Sequence, residues 1–148
     1  MNRALPLDVR LRVTIAAGLV PPLLHLVSFS RLASWLGAGT AAGSLPGYRV
    51  DLDDVVLAAW VDRLLRRLPG LWRHTCLKRA AVLYNVLRSA GRPVELWIGV
   101  RRDGSLERSV GAHAWLVRDG VPYLEPKAEL SVGHTPIARF PDNERRPA

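Results

Sequence analysis

The hydrophobic period changes at residues 91 to 93, and this change constrains the fold more than any other feature of the sequence. Upstream, apolar residues recur at helical spacing, which predicts helices over about 7–19, 23–35, 52–68 and 76–90. Downstream, apolar residues alternate with others over positions 94 to 100, which predicts a half-buried strand. Two further strands are expected at about 109–117 and 121–126. Helices followed by an antiparallel meander predict an α+β fold in which a helix packs on the sheet.

Proline, glycine and aspartate mark the expected limits of the first three helices. Pro21 and Pro22 are expected to end the first helix, and Gly37 to cap the second. Residues 37–49 are rich in small residues and predict a loop, after which Asp51 resembles an N-cap. The first helix carries an apolar stripe at every fourth position, formed by Leu7, Leu11, Ile15 and Leu19.

The chain is expected to form a single domain. It has 148 residues, 49% of them apolar, which suffices for one core and is too short for two comfortable ones. We divide it into a helical N-terminal region (1–50), a core that carries the chemistry (51–127) and a disordered tail (141–148).

Charge and cysteine content narrow the functional class. The net charge of +8 favours anionic partners, but the arginines are scattered and no nucleic-acid motif with stacking aromatic residues accompanies them, so no nucleic acid is expected. A peripheral contact with a membrane surface stays open. The single cysteine excludes an internal disulfide and a cysteine-based zinc cluster, which predicts a cytoplasmic protein.

Cys76 is the first candidate for chemistry. Thr75 is expected to cap the fourth helix, so Cys76 falls in its first turn, where unpaired backbone N–H groups favour a thiolate. The alternative is a structural role, in which Cys76 is buried and acts as a small hydrophobic residue. If Cys76 is a nucleophile, its backbone N–H also forms part of an oxyanion hole. Trp72 and His74 are the nearest candidates for the second donor.

A nucleophilic thiol needs a base, and His113 is the best of the four histidines. It lies within a predicted strand between small residues, which leaves room for its ring to meet the N-terminus of a helix packed on the sheet. The alternative is a structural histidine held by a local backbone partner.

Glu125 is the expected third member, and its assignment depends on the turn between the second and third strands. A three-residue loop over 118–120 pairs His113 with Glu125 across the hairpin. A two-residue turn at Asp119 and Gly120 pairs His113 with Pro126 instead and points Glu125 to the other face. Asp119 is the rival carboxylate, but at the hairpin tip it lies about 20 Å from His113.

Residues 71–127 resemble the lasso peptide B2 proteins, within the transglutaminase-like branch of the papain-type cysteine proteases. The segments that carry the resemblance are "CLKRAAVLYNVLRSAGRPVELWIGVRRDG" and "HAWLVRDGVPYLE". The resemblance implies Cys76 as nucleophile and His113 as general base. Glu125 falls where that family has Asp, which is a departure. No metal or organic cofactor is implied.

What this resemblance implies is cytoplasmic removal of the leader peptide from a ribosomally made lasso precursor. A separate leader-binding protein is expected, because no stretch of the chain remains to form a recognition domain, and an asparagine synthetase-like cyclase is expected to act next. Two alternatives stay open: a catalytically idle scaffold of the same fold, and an acyl transferase that passes the thioester to an amine.

Overall fold

A computed structural model describes residues 5–38, 53–70, 74–102, 110–126 and 133–141. Four helices precede the sheet: α1 (Leu7–Leu26), α2 (Phe29–Ala38), α3 (Asp54–Arg67) and α4 (Cys76–Ser89). The strands are β1 (Glu95–Arg102), β2 (Val110–Arg118), β3 (Val121–Tyr123) and β4 (Thr135–Phe140). They form one antiparallel sheet in the order β3-β2-β1-β4, so the predicted α+β class with a cysteine-bearing helix is confirmed.

Helix α4 occupies the centre of the domain. It packs against α1, α2 and α3 on one side and against β1 and β2 on the other. Because it has neighbours all round, eight of its residues are buried, including the fully enclosed Tyr84. Its amino-terminal half, which begins with Cys76, is therefore fixed by the core of the protein.

Local signals at both ends of α4 are confirmed. The hydroxyl of Thr75 accepts a hydrogen bond from the backbone N–H of Lys78 at 3.3 Å, as an N-cap does. At the other end Gly91 adopts a φ of 76°, and the N–H of Arg92 donates to the carbonyl of Leu87 at 2.9 Å. This is a Schellman closure, which needs a left-handed residue at the glycine.

The predicted end of the first helix is wrong. Helix α1 runs through Pro21 and Pro22 to Leu26, and the next helix begins at Phe29 instead of residue 23. Each proline removes one backbone hydrogen bond from the helix. Val20 and Pro21 are both buried, and their burial favours continuation of the helix.

The apolar stripe predicted for α1 lies on the solvent side. Leu7, Leu11, Ile15 and Leu19 are 81%, 61%, 52% and 57% exposed. A spacing of four advances about 40° around the helix at each step, whereas the true core face mixes spacings of three and four. That face is built from smaller residues, namely Val9, Val13, Ala16, Ala17 and Val20. By length and composition alone, α1 would suffice to cross a membrane.

The start of α3 also differs from expectation. Its N-cap is Asp53, whose carboxylate accepts hydrogen bonds from the N–H groups of Val55 and Val56. The predicted cap, Asp51, lies outside the described residues, as does most of the predicted loop over 37–49 and of the predicted tail. Helix α2 continues past the expected cap, Gly37, to Ala38.

A hydrogen bond connects α3 to the β2–β3 hairpin. The hydroxyl of Tyr123 donates to Asp54 at 2.6 Å. Burial, followed by this hydrogen bond, raises the pKa of Tyr123 and so keeps its phenol protonated as a donor. The third strand is thereby held against the helical layer.

Strand β4 was not predicted. It pairs with β1 on the side opposite to β2, with a register shift between Ile98 and Gly99. A short edge strand that contains a proline gives a weak sequence signal, and Pro136 lies within this one.

The two faces of the sheet have different neighbours. Leu96, Ala114 and Leu116 join the core beneath α4. By strand alternation and register, His113 and Trp115 project from the opposite face, where Trp97 also lies.

Close packing on this second face explains Gly99. A Cβ atom at this position would lie 2.7 Å from the ring of Trp115 and 3.0 Å from the carbonyl oxygen of Thr135. We expect Gly99→Ala to lower the free energy of unfolding by about 1–3 kcal/mol, because the indole must shift. Urea unfolding measures the change.

Gly18→Ala is the matched control, because a Cβ atom at Gly18 meets nothing within 4 Å inside helix α1. It is expected to stabilise the protein by about 0.5–1 kcal/mol. Equal effects of the two substitutions would contradict the packing argument.

Candidate active site

Cys76 begins α4 and is partly exposed. The Thr75 carbonyl accepts from the N–H of Arg79 and the Thr75 hydroxyl from that of Lys78, so the cap engages the third and fourth N–H groups of the helix. Among the described residues, the N–H groups of Cys76 and Leu77 have no acceptor. They are oriented as donors at the helix start, where negative charge is favoured.

His113 and Glu125 are brought together. The Nε2 atom of His113 lies 3.3 Å from Oε2 of Glu125, and the two side chains are 9% and 6% exposed. With Nε2 engaged by the carboxylate, Nδ1 is the ring nitrogen left for proton transfer. A buried carboxylate in this position orients an imidazole and fixes which ring nitrogen faces it.

The hairpin register that led to Glu125 is nevertheless wrong. The turn contains two residues, Asp119 and Gly120, with φ values of 52° and 78°, and Arg118 pairs with Val121. Positive φ at both positions is the type I′ geometry that suits a two-residue hairpin. Continued regularly, this ladder would place Glu125 on the face opposite to His113.

Leu124 restores the contact between His113 and Glu125. Strand β3 ends at Tyr123, and Leu124 follows with a φ of 57°. A left-handed residue breaks the alternation of side chains, so the next residue need not follow the pleat of the strand. Glu125 therefore turns back towards His113, beside a part of β2 that β3 does not reach.

A partly buried polar cluster joins three elements close to Cys76 in the chain. Asp62 of α3 accepts from Nε of Arg79 at 2.7 Å and lies 3.1 Å from Nε2 of His74. Arg79 also donates through Nη2 to the carbonyl of Leu124 at 2.8 Å. Sequence reasoning overlooked Asp62 and Arg79, because their relation depends on the packing of α3 against α4.

His134 was set aside as a loop residue, but it lies beside His113. The ring centroids of the two histidines are 5.4 Å apart, and His134 is 6.2 Å from the ring of Trp115. Its Nδ1 atom is buried and has no hydrogen-bond partner within the described part of the chain. The position of His134 beside His113 could not be predicted from the sequence, because it depends on the unpredicted strand β4.

The described residues do not bring Cys76 and His113 into contact: α4 packs on the core face of the sheet, whereas His113 projects from the opposite face. Within the described ranges, Sγ of Cys76 forms no hydrogen bond with His113. The route between them runs from α4 through Arg79 to Leu124 and Glu125. Joint action of the two groups in proton transfer would require hydrogen-bond reach, directly or through one water molecule.

No metal centre is visible in the described part of the chain, where no group of three His, Cys, Asp or Glu side chains is arranged to hold an ion. The described groups able to do chemistry are the thiol of Cys76 and, apart from it, the imidazole–carboxylate pair of His113 and Glu125. Such a set carries out nucleophilic attack and proton transfer.

Removal of the charge of Asp62 tests the polar cluster. We expect Asp62→Asn to lower the free energy of unfolding by about 2–4 kcal/mol, because the buried guanidinium of Arg79 loses its counter-ion. Denaturant unfolding measures this. Asp119→Asn is the control: its side chain is 86% exposed, and a change below about 0.5 kcal/mol is expected. Similar losses from both variants would contradict the assignment.

Comparison with known families gives one match. The model of the transglutaminase-like superfamily covers residues 17–139, which includes Cys76, His113 and Glu125. No curated protein and no solved structure matches the sequence significantly. The superfamily includes cysteine proteases and acyltransferases that share the papain-like fold. With a cysteine at the start of its central helix and a histidine on the adjoining antiparallel sheet, the chain belongs to the transglutaminase-like superfamily.

Proposed function

We propose that the protein is a cysteine peptidase that removes the leader peptide from a ribosomally synthesised lasso peptide precursor in the cytoplasm. The observation that carries the proposal is the buried contact between His113 and Glu125, 3.3 Å long, in a family of thiol enzymes. The resemblance of residues 71–127 to the B2 proteins supplies the substrate class.

The reaction assigns one role to each residue. The Cys76 thiolate attacks the scissile carbonyl carbon, and the N–H of Cys76 helps to stabilise the oxyanion. Collapse breaks the C–N bond, and protonated His113 gives its proton to the departing amine. Water then loses a proton to His113 and attacks the thioester, which releases the carboxylic acid and restores the thiolate. Glu125 holds the imidazole throughout.

Cys76→Ala tests the nucleophile. We expect it to abolish release of the leader from a lasso precursor in the presence of a leader-binding protein, because attack on the carbonyl has no replacement. Mass spectrometry of the fragments provides the measurement.

Glu125→Gln is expected to lower kcat by about 10²- to 10⁴-fold with a smaller change in KM, since it weakens the orientation of His113.

Two outcomes would overturn this proposal. Cleavage that persists in Cys76→Ala would show that the chain is an idle scaffold for another peptidase. Fragments that carry an amine adduct in place of a free carboxylate would show an acyl transferase.

We further propose that a separate leader-binding protein docks on the exposed face of α1 and delivers the precursor, which an asparagine synthetase-like cyclase then closes. Four large apolar side chains, Leu7, Leu11, Ile15 and Leu19, are exposed side by side on this face, and contiguous exposed apolar residues of this kind mark interaction surfaces. Beside the patch runs a groove of about 360 Å³, bordered by α1, α2 and α4. Its lining is largely apolar, with Ile15, Leu19 and Leu36 as walls and Arg12 in its border. A partner with apolar side chains fits this lining, and acidic residues around them suit the net charge of +8.

Ile15→Gln tests the docking surface. It is expected to raise the Kd for the leader-binding protein at least 10-fold, because it places an amide at an apolar contact. The matched control is Ile137→Gln, since Ile137 is 63% exposed on β4, away from the groove. Equal affinities of the two variants for the leader-binding protein would contradict the proposal. So would a result in which Ile15→Gln weakens binding to anionic vesicles and leaves binding to the leader-binding protein unchanged.

A further inference from the structure

We propose that Arg79 is a positioning residue: it aligns the His113–Glu125 pair with the cysteine-bearing end of α4 by holding the carbonyl of Leu124. The inference rests on the proposed function, since it assumes that the pair and Cys76 act together. It assigns a role to the buried cation that the peptidase mechanism does not use.

The burial of Arg79 requires an explanation. The residue is 7% exposed, and its guanidinium lies between α3 and the end of β3. A buried cation is costly unless a counter-ion and further acceptors surround it. Asp62 supplies the counter-ion at 2.7 Å, and the carbonyl of Leu124 supplies a second acceptor at 2.8 Å.

The contact with Leu124 acts on a strained part of the backbone. For a residue other than glycine, a φ of 57° is strained, because the Cβ atom lies too close to the following carbonyl oxygen. A charge-assisted hydrogen bond to the carbonyl of that same residue is stronger than one between neutral groups and offsets this strain. Since the carbonyl belongs to the peptide unit that leads into Glu125, holding it fixes where the carboxylate begins.

The backbone of Arg79 is hydrogen-bonded to Thr75, the residue that precedes Cys76. Arg79 follows Cys76 by three residues, one turn along α4, and its N–H donates to the carbonyl of Thr75 at 3.0 Å. Movement of the first turn of α4 therefore moves both the thiol and the support of Glu125. One residue thus couples two groups that belong to different elements of the fold.

The guanidinium suits this task better than an ammonium group. It donates through Nε to Asp62 and through Nη2 to Leu124, so two acceptors are held in a fixed relative orientation. Lysine keeps the charge but lacks the planar fork. We therefore expect Arg79→Lys to fold and to lose alignment.

The experiment compares Arg79→Lys and Arg79→Met with the wild type by two readouts. The first is kcat and KM for precursor cleavage. The second is the ¹⁵N spectrum of the His113 side chain, which reports which ring nitrogen carries the proton. In the wild type, Nε2 is expected to carry it and donate to Glu125. Arg88→Met is the control, since Arg88 lies at the far end of α4 over the ring of Tyr84.

We expect both Arg79 variants to lower kcat at least 10-fold with a change in KM below 3-fold, and to lose the single protonation pattern of His113. Arg88→Met should leave both readouts unchanged. Folded Arg79→Lys with wild-type kcat and an unchanged His113 spectrum would overturn the inference, whatever the stability of Arg79→Met. An altered His113 spectrum in an enzyme whose wild type cleaves no precursor would refute the proposed function and leave the role of Arg79 standing.

Discussion

The left-handed conformation of Leu124 is the constraint on which the candidate site depends. A regular continuation of β3 would carry Glu125 to the core side of the sheet, away from His113. The φ of 57° at Leu124 interrupts the pleat, and the carboxylate reaches Nε2 of His113 at 3.3 Å. Strained residues of this kind persist when their surroundings hold them, and Arg79 provides that hold through the Leu124 carbonyl.

Helix α4 relates this hairpin to the rest of the molecule. Because it is enclosed by three helices and the sheet, its start is rigid, and the thiol of Cys76 occupies a defined position at its N-terminus. The cation of Arg79 is balanced by Asp62 of α3, so α3 as well as α4 bears on the alignment of the site. The exposed face of α1 lies outside this arrangement and is left for a partner.

Local signals predicted α4 well, whereas relations between elements were harder to predict. Thr75 and Gly91 carry their own cap chemistry, so both ends of α4 could be read from a few neighbouring residues. Which face of α1 is buried depends on how closely α4 approaches it. The buried face carries small residues, and the leucines lie on the exposed face. The contact of His113 with Glu125 was expected for the wrong reason, because the sequence does not reveal the torsion of Leu124. Asp62 and His134 required tertiary packing to be recognised.

The most direct measurement of the central claim is the distance between Sγ of Cys76 and Nδ1 of His113 in a crystal structure of the protein with a peptide aldehyde condensed on the thiol. We predict a distance of about 3–4 Å, with Glu125 still bound to Nε2, since proton transfer requires hydrogen-bond reach. A distance beyond about 7 Å in that adduct, with the imidazole still held by Glu125, would show that the two groups do not act as a pair.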